Sequence, residues 1–133
     1  MKFMLLQNYA PTEATSEPMS SWAPEDVKAH IESQYRLNAE LTERGELVEA
    51  QALAGPELAK IVTHDGVGTP VVTDGPFPES KEFLAGYRMV DVESPERAIE
   101  IAAKGSAAPG PGGAPIRQPI EMREVMGAPS SEV

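Results

Sequence analysis

Twice along this chain a two-residue alternation gives way to a helical period and then returns, and that order constrains the fold more than any other feature. Residues 2 to 9, KFMLLQNY, are apolar on both sides of the alternation, as in a central strand covered on both faces. A loop, 10–23, follows. Pro24 then takes the first position of a helix, with Glu25 and Asp26 in its first turn, and Gly45 stops it after Arg44. ELVEAQALAG, 46–55, alternates as a strand up to Gly55-Pro56. AKIVTH and TPVVTD flank DGVG as a hairpin, and FLAGYRMVDV, 83–92, is the next strand. Ser94-Pro95-Glu96 starts a second helix, which Gly105 is expected to close. SAAPGPGGAP is too rich in proline and glycine to be regular, though a loop can be ordered by what it covers. IRQPIEMREV reads as the last strand.

Strand, helix, strand, hairpin, strand, helix, strand predicts an α+β domain: a ferredoxin-like β-α-β repeat with an antiparallel sheet and both helices on one face. The opposite sheet face is then bare, and a second copy of the chain is expected to cover it. The domain should span 1–126, with 127–133 a flexible C-terminal tail.

Projected at 100° per residue, Val27, Ile31, Tyr35, Leu37 and Leu41 form the apolar face of the first helix, with Glu32, Arg36, Glu40 and Glu43 opposite. Gln34 and Asn38 fall near the middle of that stripe and His30 towards its edge. Polar groups there need partners or a cavity, so Gln34 and Asn38 mark either a pocket wall or a buried hydrogen-bond network. His30 is a locally satisfied helix histidine or a cleft acid/base, and His64, before the Asp-Gly turn, should face solvent. Tyr87 and Arg88 point to opposite faces of one strand, and Trp22 either packs the start of the helix or closes over a ligand.

Eleven basic against twenty-one acidic residues give a net charge of −10, which disfavours direct nucleic-acid binding and anionic membranes. The absence of cysteine removes disulfides, thiolate nucleophiles and thiolate metal sites, and two distant histidines make no zinc motif. Neither a metal nor a cofactor is expected, and a soluble cytoplasmic protein is the default. Gly110, Gly112 and Gly113 match no nucleotide fingerprint, because no strand-to-helix turn surrounds them.

The least ordinary stretch is TDGPFPESKEF, 73–83. Asp74 can accept from the amides of the following turn, Gly75 can take a positive φ, and Pro76 and Pro78 fix the path around Phe77. The segment either shapes the scaffold or contacts a ligand directly, with Asp74 as acceptor or base, Lys81 as an anion anchor and Glu79 or Glu82 as its partner. The ligand-binding candidates are therefore Gln34, Asn38, Asp74, Gly75, Pro76, Phe77, Lys81 and Glu82, and the catalytic candidates are Asp74 and His30.

VTDGPFPESKEFLAGYRMVDV, together with the THDG turn upstream, the SPERAIEIAAK helix and the closing PIEMREV strand, closely resembles the DGPF group of the YCII-related family over about residues 1 to 125. The resemblance implies a ferredoxin-like fold pairing into a dimeric α/β barrel, with a cleft in each protomer. It implies no established reaction; by association in bacteria it suggests a link to sigma-factor regulation. One branch of that family carries a histidine on the first helix, proposed to act with an aspartate. That position falls on Gln34 here, one turn after His30, and the aspartate has no clear counterpart in the Gly/Pro-rich segment. An amide does not shuttle protons near neutral pH, so the dyad does not carry over.

Three functions follow as expectations: a homodimeric small-molecule binder with its cleft near the DGPF segment, an enzyme using acid/base chemistry at Asp74 or His30, and a dimeric protein-interaction module. The first needs a concave polar site, the second a titratable group with a strongly shifted pKa, and the third a further exposed apolar patch.

Overall fold

A computed structural model describes residues 1–9, 19–74 and 83–127. Strands β1 (Lys2–Tyr9), β2 (Leu47–Ala52), β5 (Phe83–Asp91) and β6 (Ile120–Glu124) form one antiparallel sheet in the order β2-β5-β1-β6, while β3 (Lys60–Thr63) and β4 (Val71–Asp74) pair apart from it as a hairpin. Helix α1 (Pro24–Glu43) connects β1 to β2, and α2 (Pro95–Ser106) leads from β5 towards β6. This is the ferredoxin-like order that the sequence predicts. Gly127 ends the described residues on that side, and the remainder of the expected tail, 128–133, lies outside them.

Burial separates the two faces of the sheet. Phe3 and Leu5 of β1 and Val90 of β5 join Leu37 and Leu41 of α1 and Ala98 and Ile101 of α2 in one core, which Ile120 and Met122 of β6 flank. The alternate residues face away from the helices. Across that face the register aligns Gln51, Tyr87, Leu6 and Glu121 in one row and Glu49, Met89, Met4 and Arg123 in the next. Each row is apolar at its centre and polar at both ends.

Three local expectations need correction. Ile31 and Tyr35 are exposed, Tyr35 by 70%, and the inward residues of α1 are His30, Leu37 and Leu41 with half-buried Gln34 and Asn38 between them. The helix is rotated so that polar groups, not two more apolar ones, meet the sheet, where a buried arginine offers them partners. Gly105 does not end α2 but lies buried within it, because a Cβ there would stand 3.0 Å from Ile120 Cδ1 and 3.4 Å from Arg88 Nη1. The last strand is shorter than 116–125: Ile116 bonds instead to Ala108, Arg117 takes a φ of 57°, and pairing begins at Ile120.

The Gly/Pro-rich segment is ordered by what it covers. Pro109 pairs with Pro115, Gly110 N–H donates to the Ala114 carbonyl at 2.7 Å, and Ala108 and Ile116 are buried beneath the turn Pro111–Gly113. The carbonyl of Pro109 then faces α1.

Candidate functional site

The inward face of β5 presents Gly86, Arg88 and Val90, all buried, and Arg88 stands between α1 and α2 with only 8% of its surface exposed. A guanidinium in that position must spend its N–H groups on protein acceptors. Nε donates to Asn38 Oδ1 at 2.7 Å, and Nη2 donates to the side-chain oxygen of Gln34 and more weakly, at 3.4 Å, to its backbone carbonyl. The two amides therefore turn their oxygens to Arg88. This explains why Gln34 and Asn38, four residues apart on α1, interrupt an otherwise apolar stripe.

His30 extends the cluster by one turn. It is buried, and its Nδ1 donates to the Pro109 carbonyl at 3.1 Å, since a carbonyl can only accept. Nε2 is then the acceptor nitrogen, 3.5 Å from Gln34 Nε2. Burial holds the imidazole pKa below its ordinary value of 6.5, the Pro109 bond opposes this, and the Arg88 charge acts with burial. His30 is neutral at pH 7. Trp22 sets its ring edge-on to His30 with centroids 5.7 Å apart, so it packs against the start of α1 and one side of the cluster. Burial lowers the Arg88 pKa as well, but guanidinium remains charged.

The result is a polar inlay of Trp22, His30, Gln34, Asn38 and Arg88, joined to the 108–116 segment through the bond of His30 to Pro109. Among the described residues no carboxylate lies within ion-pairing distance of Arg88. Arg97 shows the contrast. It holds Glu46 and Glu100, and the depression of about 530 Å³ beside it is lined by groups that already pair with one another, Arg44, Glu46 and Arg97 among them.

The other sequence candidates are divided. Asp74 ends the hairpin with its side chain 85% exposed and pairs with Lys60; among the described residues no hydrogen bond joins it to His30, Gln34 or Asn38. Asp74 and His30 are therefore not brought together as an acid/base pair. Because exposed ion pairs contribute about 0 to 1 kcal/mol, Asp74→Asn should change the unfolding free energy measured in urea by no more than that. A larger loss would show that Asp74 has a structural partner. Gly75, Pro76, Phe77, Glu79, Lys81 and Glu82 lie outside the described residues. Phe83 ends that segment stacked on Tyr9 at 5.0 Å, at the C-terminal end of β1, from which the chain leads to α1. His64 is exposed, and its ring faces the Gly68 carbonyl across the hairpin turn.

Arg88 is the residue that sequence reasoning missed. The signal was there: an arginine between Gly86 and Val90 on one side of a central strand either breaks the core pattern or anchors something polar within it. Among the described residues no cluster of three metal-ligating side chains occurs, and no helix is long and apolar enough to cross a membrane.

An antiparallel ferredoxin-like domain with a polar inlay between its helices and sheet is the class that fold and site define. The family model for the YCII-related domain matches residues 1–122, and the chain belongs to that family. An uncharacterized protein of Rhizobium meliloti (strain 1021) is 29% identical over 83 residues, covering 62% of this chain and 66% of the relative. The chain thus spans slightly less than two thirds of that relative's length.

Proposed function

We propose that this YCII-related protein is a cytoplasmic homodimer that binds a small molecule at the inlay of His30, Gln34, Asn38 and Arg88. The observation that carries the reading is Arg88, a buried guanidinium with no carboxylate beside it among the described residues. Structural arginines are normally paired, and a buried charge left uncompensated costs several kcal/mol. Binding sites retain such groups because a ligand supplies what the fold withholds. A link to sigma-factor regulation would make the ligand a signal. Binding is favoured over turnover, since neutral His30 has no aspartate partner among the described residues.

A metabolite panel tests this by thermal shift. Ligand at 100 times its dissociation constant should stabilise by about 2.7 kcal/mol, and the gain should fall sharply in Gln34→Ala. If no compound stabilises the wild type, the ligand site is refuted for that panel's chemistry.

The two apolar rows on the bare sheet face support the dimer. Met4, Leu6, Tyr87 and Met89 are half-buried there, ringed by Glu49, Gln51, Glu121 and Arg123, the apolar-centre and polar-rim pattern of an interface. Light scattering at micromolar concentration should give twice the chain mass of 14.2 kDa, and Met89→Glu should shift it towards the monomer. A wild type at 14.2 kDa would contradict the assignment.

A further inference from the structure

We infer that the ligand of the inlay is a small monocarboxylate, whose carboxylate is received by the guanidinium of Arg88. The inference rests on the inlay being a ligand site and adds the class of molecule. Three observations carry it.

The first is charge. Arg88 brings one positive charge into an inlay whose other described members, Trp22, His30, Gln34 and Asn38, bring none. One monoanion balances it; a dianion would leave a negative charge buried. The second is the direction of the hydrogen bonds. Asn38 and Gln34 occupy Nε and Nη2 with neutral oxygens, which satisfy the donors without cancelling their charge. Nη1 has no acceptor among the described residues, and no sealed side-chain nitrogen or oxygen there lacks a partner, so that edge of the guanidinium is not closed off in apolar packing. It lies over Gly105, where a Cβ would crowd it at 3.4 Å. The third is the orientation of the amides. With both oxygens committed to Arg88 and one N–H of Gln34 given to His30 Nε2, the other amide N–H of Gln34 and the NH2 group of Asn38 stand as donors beside it, and donors suit an anion.

The surface chemistry agrees with selectivity for small acids of one charge. A chain of net charge −10 repels polyanions before they reach the site, while a monoanion pays little for the approach.

The test compares matched pairs of probes by isothermal titration and thermal shift: propionate against propionamide, benzoate against benzamide, and inorganic phosphate beside them. A carboxylate should bind the wild type about ten- to a hundredfold more tightly than its amide, as expected for a charge-assisted hydrogen bond. Arg88→Met should abolish that difference, with its circular dichroism spectrum confirming the fold. Should Arg88→Met not fold, the wild-type comparison of acid with amide still decides. Amides that bind as tightly as their acids would overturn the inference and leave the ligand site standing. So would carboxylate binding undiminished in a folded Arg88→Met, or phosphate binding more tightly than either acid. If no probe binds and the metabolite panel also gives nothing, inference and site fall together.

Discussion

Replacing Glu46 by alanine will destabilise the protein by about 2 to 3 kcal/mol, among the largest effects expected of any single charged residue. Glu46 opens the approach to β2, and Arg97 on α2 grips its carboxylate in a fork, Nε to Oε2 at 2.9 Å and Nη2 to Oε1 at 2.8 Å. Arg44, at the end of α1, donates to the same carboxylate at 2.9 Å. One carboxylate thus ties the close of α1 and the start of α2 to the edge of the sheet. The side chains of Glu46 and Arg97 are only 12% and 14% exposed, so water compensates little for the lost partner. Arg97, itself nearly buried, would keep only Glu100, while the more exposed Arg44 would turn to water.

The same contact sets a pH dependence. The Arg97 hydrogen bonds, then that of Arg44 and both positive charges, lower the Glu46 pKa from 4.5 to about 2 against the cost of burial. A carboxyl held low in the folded state contributes stability that is complete above its unfolded pKa and is lost as pH falls through the folded one. The difference between wild type and Glu46→Ala should therefore persist at pH 7, shrink between about pH 4.5 and pH 2, and nearly vanish below. Urea midpoints across that range measure it. A difference below about 0.5 kcal/mol at pH 7 would make this an ordinary exposed pair.

Leu41→Ala should cost at least as much, about 3 kcal/mol or more. Leu41 is fully buried in the core formed by Phe3, Leu5, Val90 and Ile101, so its removal leaves a cavity that strands on one side and helices on the other cannot easily close. Its backbone carbonyl also accepts from Glu46 N–H at 2.8 Å, which fixes the last turn of α1 at the same place. The urea midpoint should fall with the slope unchanged. A loss under about 1 kcal/mol would show that the core around α1 collapses freely.

The order of elements was legible because it depends on local period. β1, α1, β5 and α2 each carry a clear alternation or helical repeat, and Ser94 caps α2 as its sequence suggests, accepting from Arg97 N–H at 3.2 Å. What local reading could not supply was the rotation of α1. A projection weighs Ile31 and Tyr35 as core residues by their hydropathy, yet both are exposed, because the position that decides the matter, Arg88, lies 50 residues from Asn38 and meets it only in the folded sheet. Gly105 misled for a similar reason. In sequence it reads as a stop, whereas in the fold it makes room for Arg88 and Ile120. Gln34 and Asn38 were identifiable from their cost in an apolar stripe, and their partner followed only from the strand register.

The most direct measurement is a proton–nitrogen spectrum of the arginine side chains during titration with the compound that gives the largest thermal shift. The Arg88 Nε–Hε signal should move well beyond those of the exposed Arg36 and Arg123 and saturate with the same affinity as the thermal response. A titration that moves Arg44 and Arg97 while Arg88 stays still would place the ligand in the depression at Glu46 and contradict the assignment of the inlay.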